Sequence, residues 1–185
     1  MIKIKHCFLC ENINLNKIFS AIDYIATKEK FDILECPKCE IRITSPLPKK
    51  NQLKKYYESK NYRPHKKKTY SIIDLLYNII RKYMFFKKRK LIEKHSHLKK
   101  GKILDIGCGT GEFASFMKNS GWDVVCVDSS NEARNIAMQR FNLKVLNIDQ
   151  FFDLKNIRFD VITMWHTLEH VDKPIEYINK VNKIL

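Results

Sequence analysis

Cys7-Phe8-Leu9-Cys10 and Cys36-Pro37-Lys38-Cys39 form two C-x-x-C pairs with 25 residues between them. Each pair sets two thiolates on one tight turn, and two such turns facing each other complete an all-sulfur tetrahedral site with metal–sulfur distances near ~2.3 Å. Cys7, Cys10, Cys36 and Cys39 are therefore candidate ligands of a structural zinc, since four protein ligands leave no open coordination position. The plainer alternative is four unrelated thiols or a redox pair, but a redox pair needs only one copy of the motif. Iron is set back by Glu11 and Glu40, which follow the pairs where iron-binding knuckles favour glycine.

A second constellation lies downstream. Lys102-Ile103-Leu104-Asp105-Ile106 reads as a short apolar strand, Gly107-Cys108-Gly109-Thr110-Gly111 as a glycine turn, and Glu112 to Asn119 as a helix. Strand, glycine turn and helix open a nucleotide-binding βαβ unit, in which glycines let backbone and ligand approach closely. The next strand, Trp122 to Val127, ends on Asp128, placed to accept hydrogen bonds from two ribose hydroxyls. A dinucleotide fingerprint needs its third glycine at position 112, which is Glu112, so the spacing disfavours NAD. Glu169-His170, with His166 just before, supplies an imidazole and a carboxylate suited to taking a proton near neutral pH. The plain reading is that Glu169 and His170 cap a helix starting near Pro174, and that His166 lines a pocket. Cys108 and Cys126 read as small core residues.

Leu104-Asp105-Ile106-Gly107-Cys108-Gly109-Thr110-Gly111 resembles the opening motif of class I S-adenosylmethionine (SAM) methyltransferases. That resemblance implies an α/β, Rossmann-like sheet in the strand order 3-2-1-4-5-7-6, and a cofactor held by Asp105, Gly107, Gly109, Gly111, Asp128, Asp149 and Trp165. Within it, Val145 to Asp149 matches the third strand, with Asp149 at the position that contacts adenine, and Phe159 to His166 matches the fourth. Glu169, His170, Asp172 and Pro174 are similar to the "EH…DP" signature of small-molecule methyltransferases. The cysteine pairs, followed by Pro46, Pro48, Tyr56, Tyr57, Tyr62 and His65, narrow the likeness to zinc-binding methyltransferases of sugar and surface-polysaccharide pathways. It implies methyl transfer to a small molecule such as a sugar nucleotide, with His170 as base and Glu169 and His166 beside it. An RNA methyltransferase and a non-catalytic zinc and SAM-fold binding module are the competing readings.

Three segments must position these residues: a zinc-ribbon-like module over 1–48, a basic linker and helix over 49–100, and a cofactor domain over 101–185. The chain of 185 residues has a net charge of +15, and residues 49–102 alone carry +16, against +1 for 1–48 and −2 for 103–185. A local excess of this kind fits an anionic small-molecule substrate or a solvated helix before it fits nucleic acid. From Ser71, apolar residues at Ile72, Leu75, Leu76, Ile79, Ile80, Tyr83 and Phe86 predict an amphipathic helix reaching His97, with its lysines in solvent. Cysteine usage without a secretory leader predicts a reducing, cytoplasmic setting, and no apolar run is long enough to span a membrane. Candidates exist for only the first four strands, so the chain is expected to be a fragment whose fourth strand is a sheet edge.

Overall fold

The computed structural model describes residues 1–24, 26–49, 52, 56, 72–171 and 173–185, with side chains of the first long helix described from Leu75 onward. Ile25, Tyr57, Tyr62, His65, Asp172 and the clusters Lys54-Lys55 and Lys66-Lys67-Lys68 lie outside the described residues. The chain divides into two compact units, Met1–Thr69 and Tyr70–Leu185. Among the described residues, no helix is long and apolar enough to cross a membrane.

The first unit is an antiparallel sheet in the order β1 (Asn16–Ile22), β2 (Lys30–Glu35), β3 (Arg42–Ser45). Sequence places the first strand around Ile22, Tyr24 and Ile25, but it ends at Ile22. The cause is Asp23, whose carboxylate accepts from the Ala26 and Thr27 N–H groups at 3.0 and 2.9 Å and so folds the chain into a turn. Tyr24 is left on that turn, largely exposed. Among the described residues of this unit the buried apolar content is small: Cys7, Cys36 and Ile43, with Ile4, Leu15 and Ile41 packed around them. So little core calls for a further staple.

The second unit is a parallel sheet in the order β6 (Lys144–Leu146), β5 (Asp123–Val127), β4 (Lys102–Ile106), β7 (Val161–Thr163). Alternation along the strands sends side chains to two faces. Ile103, Val124 and Cys126 pack with α1 (Ile72–Ser96), α2 (Glu112–Asn119) and α3 (Asn131–Phe141), through Ile92, Phe113, Met117 and Ala137. Leu104, Ile106, Val125 and Val127 pack on the other face with Phe151 of α4 (Ile148–Asp153) and Ile184 of α5 (Pro174–Ile184). Both faces are covered, as the continuous apolar strands require. This is the α/β, Rossmann-like architecture expected, with β7 at the edge.

Two strands are shorter than the sequence pattern implies. β6 stops at Leu146 because Asn147 starts α4 with a capping box: its side chain accepts from the Gln150 N–H at 2.8 Å, and Gln150 accepts from the Asn147 N–H at 2.9 Å. Asp149 therefore stands exposed in the first turn of α4, not in a strand. β7 spans only Val161–Thr163, since the Phe159 N–H bonds the Ile184 carbonyl and His166 takes a left-handed φ of 55° that ends the extended run.

α1 lies where the periodicity puts it, but it faces the other way. Phe85, Lys88, Arg89 and Ile92 form its inward stripe, while Leu75, Leu76, Ile79, Ile80 and Tyr83 are all more than half exposed. The inward stripe wins because Phe85 packs on Phe113 and Phe116 with ring centroids 5.6 and 5.9 Å away, and Arg89 donates to Ser120 Oγ at 3.1 Å and pairs with Glu93 at 3.1 Å.

Candidate functional site

In the first unit, the sulfur atoms of Cys7, Cys10, Cys36 and Cys39 lie within 4.8 Å of one another. Three of the contacts are 3.5–3.6 Å, and a tetrahedral site with ~2.3 Å metal–sulfur bonds has edges of about 3.8 Å. The two turns are built alike. Glu11 N–H bonds the Cys7 carbonyl at 2.9 Å and Cys7 N–H the Asn12 carbonyl at 2.8 Å; Glu40 N–H bonds the Cys36 carbonyl at 2.8 Å and Cys36 N–H the Ile41 carbonyl at 3.0 Å. Glu11 and Glu40 both take left-handed φ values, 58° and 59°, so they adopt the conformation that glycine favours despite their side chains. Burial pushes the Cys36 thiol up, but the Asn12 side chain and the N–H groups of Cys39 and Lys38 outweigh it and bring it down to about 6. The Ile41 N–H favours the Cys39 thiolate, yet burial and the three other sulfurs push that thiol up to about 12. Four thiolates so close together need a cation among them, and this donor set fits zinc.

In the second unit, the glycine turn, Asp105, Asp128 and Trp165 lie at or just beyond the carboxyl ends of β4, β5 and β7, while Asp149 lies in α4, with no hydrogen bond or ion pair to them among the described residues, and His170 in a turn beyond β7. Ile106 ends β4, and Gly107 and Cys108 both donate to the Val127 carbonyl, at 2.7 and 3.1 Å. Gly107, Gly109 and Gly111 all have positive φ, but their surroundings differ. A Cβ on Gly107 would run into Thr167, and one on Gly111 would sit 2.7 Å from Leu143 Cδ1 and 2.9 Å from Ala137 Cβ. At Gly109 it would meet nothing within 4 Å. Gly107 and Gly111 are thus needed for packing, and Gly109 borders open space.

Asp128 follows β5 and braces the turn, accepting from the Gly109 N–H and the Ser130 N–H at 2.8 Å each. Asp105 is buried within β4, and Thr163 Oγ1 donates to it at 2.7 Å. Burial pushes the Asp105 carboxyl up to about 6, against the pull of the Thr163 hydrogen bond and the Lys88 charge. Cys108 is half-buried, and the neighbouring Cys126 thiol together with burial pushes it well above the ordinary thiol range, which keeps it protonated and unreactive.

The chain after β7 lies on the glycine turn through the Gly107–Thr167 contact. Trp165 meets Phe113 edge to face, 6.2 Å between centroids at 88°. His166 Nδ1 stands 3.7 Å from Glu169 Oε1, both side chains being exposed. Glu169 thus neighbours His166, one of the two histidines the sequence sets beside it. His170 itself is exposed in a single 3-10 turn, Leu168–His170. α5 begins with Pro174 after Lys173, and among the described residues no side-chain hydrogen bond caps that start.

Periodicity missed Lys88. It is half-buried and sits over Trp165 and Phe113, 4.5 and 5.5 Å from the ring centroids. Its spacing from Phe85 and Ile92, three before and four after, is the signal that places all three on one helix face. Thr163 and Thr167 were also missed, and nothing in their type or spacing marks them.

A parallel sheet whose glycine turn and strand-end carboxylates meet at its carboxyl end is the arrangement in which α/β folds hold nucleotide-type ligands. Residues 78–185 match the family model described as "Methyltransferase domain", and the chain belongs to that family. A ubiquinone biosynthesis O-methyltransferase of Paraburkholderia phymatum is 33% identical over 96 residues, 48% of this chain and 41% of that one. An uncharacterized methyltransferase of Staphylococcus carnosus is 29% identical over 103 residues, 55% and 49% of the two chains. The present chain therefore spans less than half the length of these curated relatives. In fold, the SAM-bound amino pentose methyltransferase CalS10 from Micromonospora echinaspora superposes with a TM-score of 0.51 at 15% identity, covering 65% of this chain and 54% of that one.

Proposed function

We propose that this chain binds SAM at the carboxyl ends of β4 and β5 and belongs to an enzyme that moves the sulfonium methyl to a small-molecule acceptor. The observation that carries the reading is the Gly109 turn, pinned by Asp128 at 2.8 Å and facing open space beside two carboxylates. Gly107, Gly109 and Gly111 shape the cradle, Asp105 suits the cofactor's ammonium group, and Asp128 suits the ribose hydroxyls, as Asp149 and Trp165 suit the adenine and the methionine end. When bound, SAM supplies an electrophilic methyl that needs only an aligned nucleophile. His166, oriented by Glu169, or His170 takes the acceptor's proton, and His166 carries the backbone strain common at working sites.

The acceptor is a small anionic metabolite, with a sugar nucleotide as the leading class. The likeness of the four-cysteine module and the basic segment 49–102 support that choice. A hydroxyl acceptor is the second reading, favoured by the 33% identity to a ubiquinone biosynthesis O-methyltransferase. We further propose that Cys7, Cys10, Cys36 and Cys39 hold one structural zinc. Calorimetric titration with S-adenosylhomocysteine (SAH) tests the cofactor and metal analysis of purified protein tests the zinc. Saturable binding and one zinc per chain are expected; an absence of either removes the corresponding claim.

A further inference from the structure

Glu112 stands where a dinucleotide fold would carry a third glycine, and its carboxylate reaches side chains of two other helices beside the glycine turn. Its Oε1 lies 3.6 Å from Arg140 Nη1 of α3 and 3.9 Å from Arg81 Nη1 of α1. Its Oε2 accepts from Thr110 Oγ1 at 2.5 Å. Thr110 is only 4% exposed, and it is the residue between Gly109 and Gly111. A glutamate in the first turn of a helix is ordinarily explained by the helix dipole. The dipole asks only for a negative charge nearby. It does not account for a carboxylate shared between a buried hydroxyl and guanidinium groups from both neighbouring helices.

The glycine turn supplies the reason for that arrangement. Gly109 and Gly111 both have positive φ, and glycine loses more backbone freedom on being ordered than any other residue. Such a turn keeps one shape ahead of its ligand only if its surroundings hold it. Asp128 does so on the β5 side, through the Gly109 N–H at 2.8 Å. Gly111, which caps the start of α2, has no side chain with which to do the same. We propose that Glu112 is the positioning residue on that side: through the Thr110 hydroxyl it fixes the Gly109–Gly111 backbone in the shape that SAM meets. Arg81 and Arg140 hold the carboxylate for this task. Each ion pair is partly exposed and contributes little by itself. Together they restrict the glutamate's rotamers, and an ionised acceptor strengthens the Thr110 bond. The inference rests on the SAM reading above and adds to it a residue that acts through Thr110 rather than on the cofactor.

A double-mutant cycle read in SAH affinity tests it. Thr110→Val keeps the side chain's shape but removes the hydroxyl, and should raise the Kd for SAH about tenfold, the loss expected for a charge-assisted hydrogen bond. Glu112→Ala should raise it by the same factor. The double variant should lose no more than either single one, because both remove the same bond. Thr110→Ser keeps the donor and Glu112→Gln keeps an acceptor, so both should stay within about threefold of wild type. Cooperative unfolding of each ligand-free variant shows that it is folded, and a role in helix stability alone would move those midpoints without moving the Kd. If Thr110→Val or Glu112→Ala binds SAH as wild type does, or if their losses multiply in the double variant, the inference falls and the SAM site stands. If the wild-type chain does not bind SAH, the SAM site falls and the inference with it.

Discussion

Gly109 and Gly111 are two residues apart and both have positive φ, yet substitution should harm them in opposite ways. Alanine in a left-handed conformation costs ~1–2 kcal/mol wherever it occurs. At Gly111 the new Cβ also lies 2.7 Å from Leu143 Cδ1 and 2.9 Å from Ala137 Cβ, and overpacking of that kind adds ~1–3 kcal/mol. Gly111→Ala should therefore lose about 3–4 kcal/mol of stability. At Gly109 nothing lies within 4 Å, so Gly109→Ala should lose only the backbone cost, about 1 kcal/mol. The open space is where the cofactor must lie, and the turn cannot retreat because Asp128 holds the Gly109 N–H at 2.8 Å. An extra methyl there should raise the Kd for SAH by a factor of about 100, the upper end of an overpacking cost. SAH at ~100 times the wild-type Kd stabilises wild type by ~2.7 kcal/mol, but Gly109→Ala by only ~0.4 kcal/mol. Urea unfolding with and without SAH reads both numbers. A Gly109→Ala chain that SAH stabilises as much as wild type would refute this placement of the cofactor.

Asp105 has its carboxyl raised to about 6, against ~3.9 in an unfolded chain. Between those values the folded state holds the proton more tightly, so stability falls as pH rises from about 4 to about 6 and stays low above that; a shift of ~2 units corresponds to ~3 kcal/mol. Asp105→Asn should remove that slope in urea titrations across this range, and wild-type SAM affinity should weaken below pH 6 as the carboxylate is protonated. In the cysteine unit, Glu40→Gly should raise stability by ~0.5–1 kcal/mol, measured by thermal unfolding of the metal-loaded protein, because glycine accepts the 59° φ without a Cβ penalty. A strong chelator should abolish the cooperative unfolding of Met1–Thr69 while leaving SAH binding by Tyr70–Leu185 in place. His166→Asn should lower the methylation rate by ~100-fold with SAM binding unchanged, if His166 takes the acceptor proton.

The glycine-motif half of the second unit was legible residue by residue. Lys102–Ile106 and Glu112–Asn119 have the bounds that the apolar run and the glycines imply. There the local signal and the tertiary demand agree, since a strand covered on both faces is continuously apolar. The later strands were overextended because apolar pattern alone does not see a capping box at Asn147 or a left-handed residue at His166. α1 misled for a different reason. Its strongest apolar stripe is exposed, and the inward face is chosen by aromatic contacts from Phe85 and by ion pairs that no period reveals. Near the candidate site, the strand, the glycine turn and the following strand that carry Asp105, the three glycines and Asp128 were readable from spacing. Lys88 reaches Trp165, Thr163 reaches Asp105 and Thr167 reaches Gly107 across elements far apart in sequence, contacts that only the packed structure makes.

The central claim is that the Gly107–Gly111 turn and the carboxylates Asp105 and Asp128 form a SAM site. Titration calorimetry of the chain with SAH measures it most directly. One saturable site per chain, weakened about 100-fold by Gly109→Ala while that variant still unfolds cooperatively, is the predicted result. Absence of binding by the folded wild-type chain, or equal binding by the variant, would contradict it.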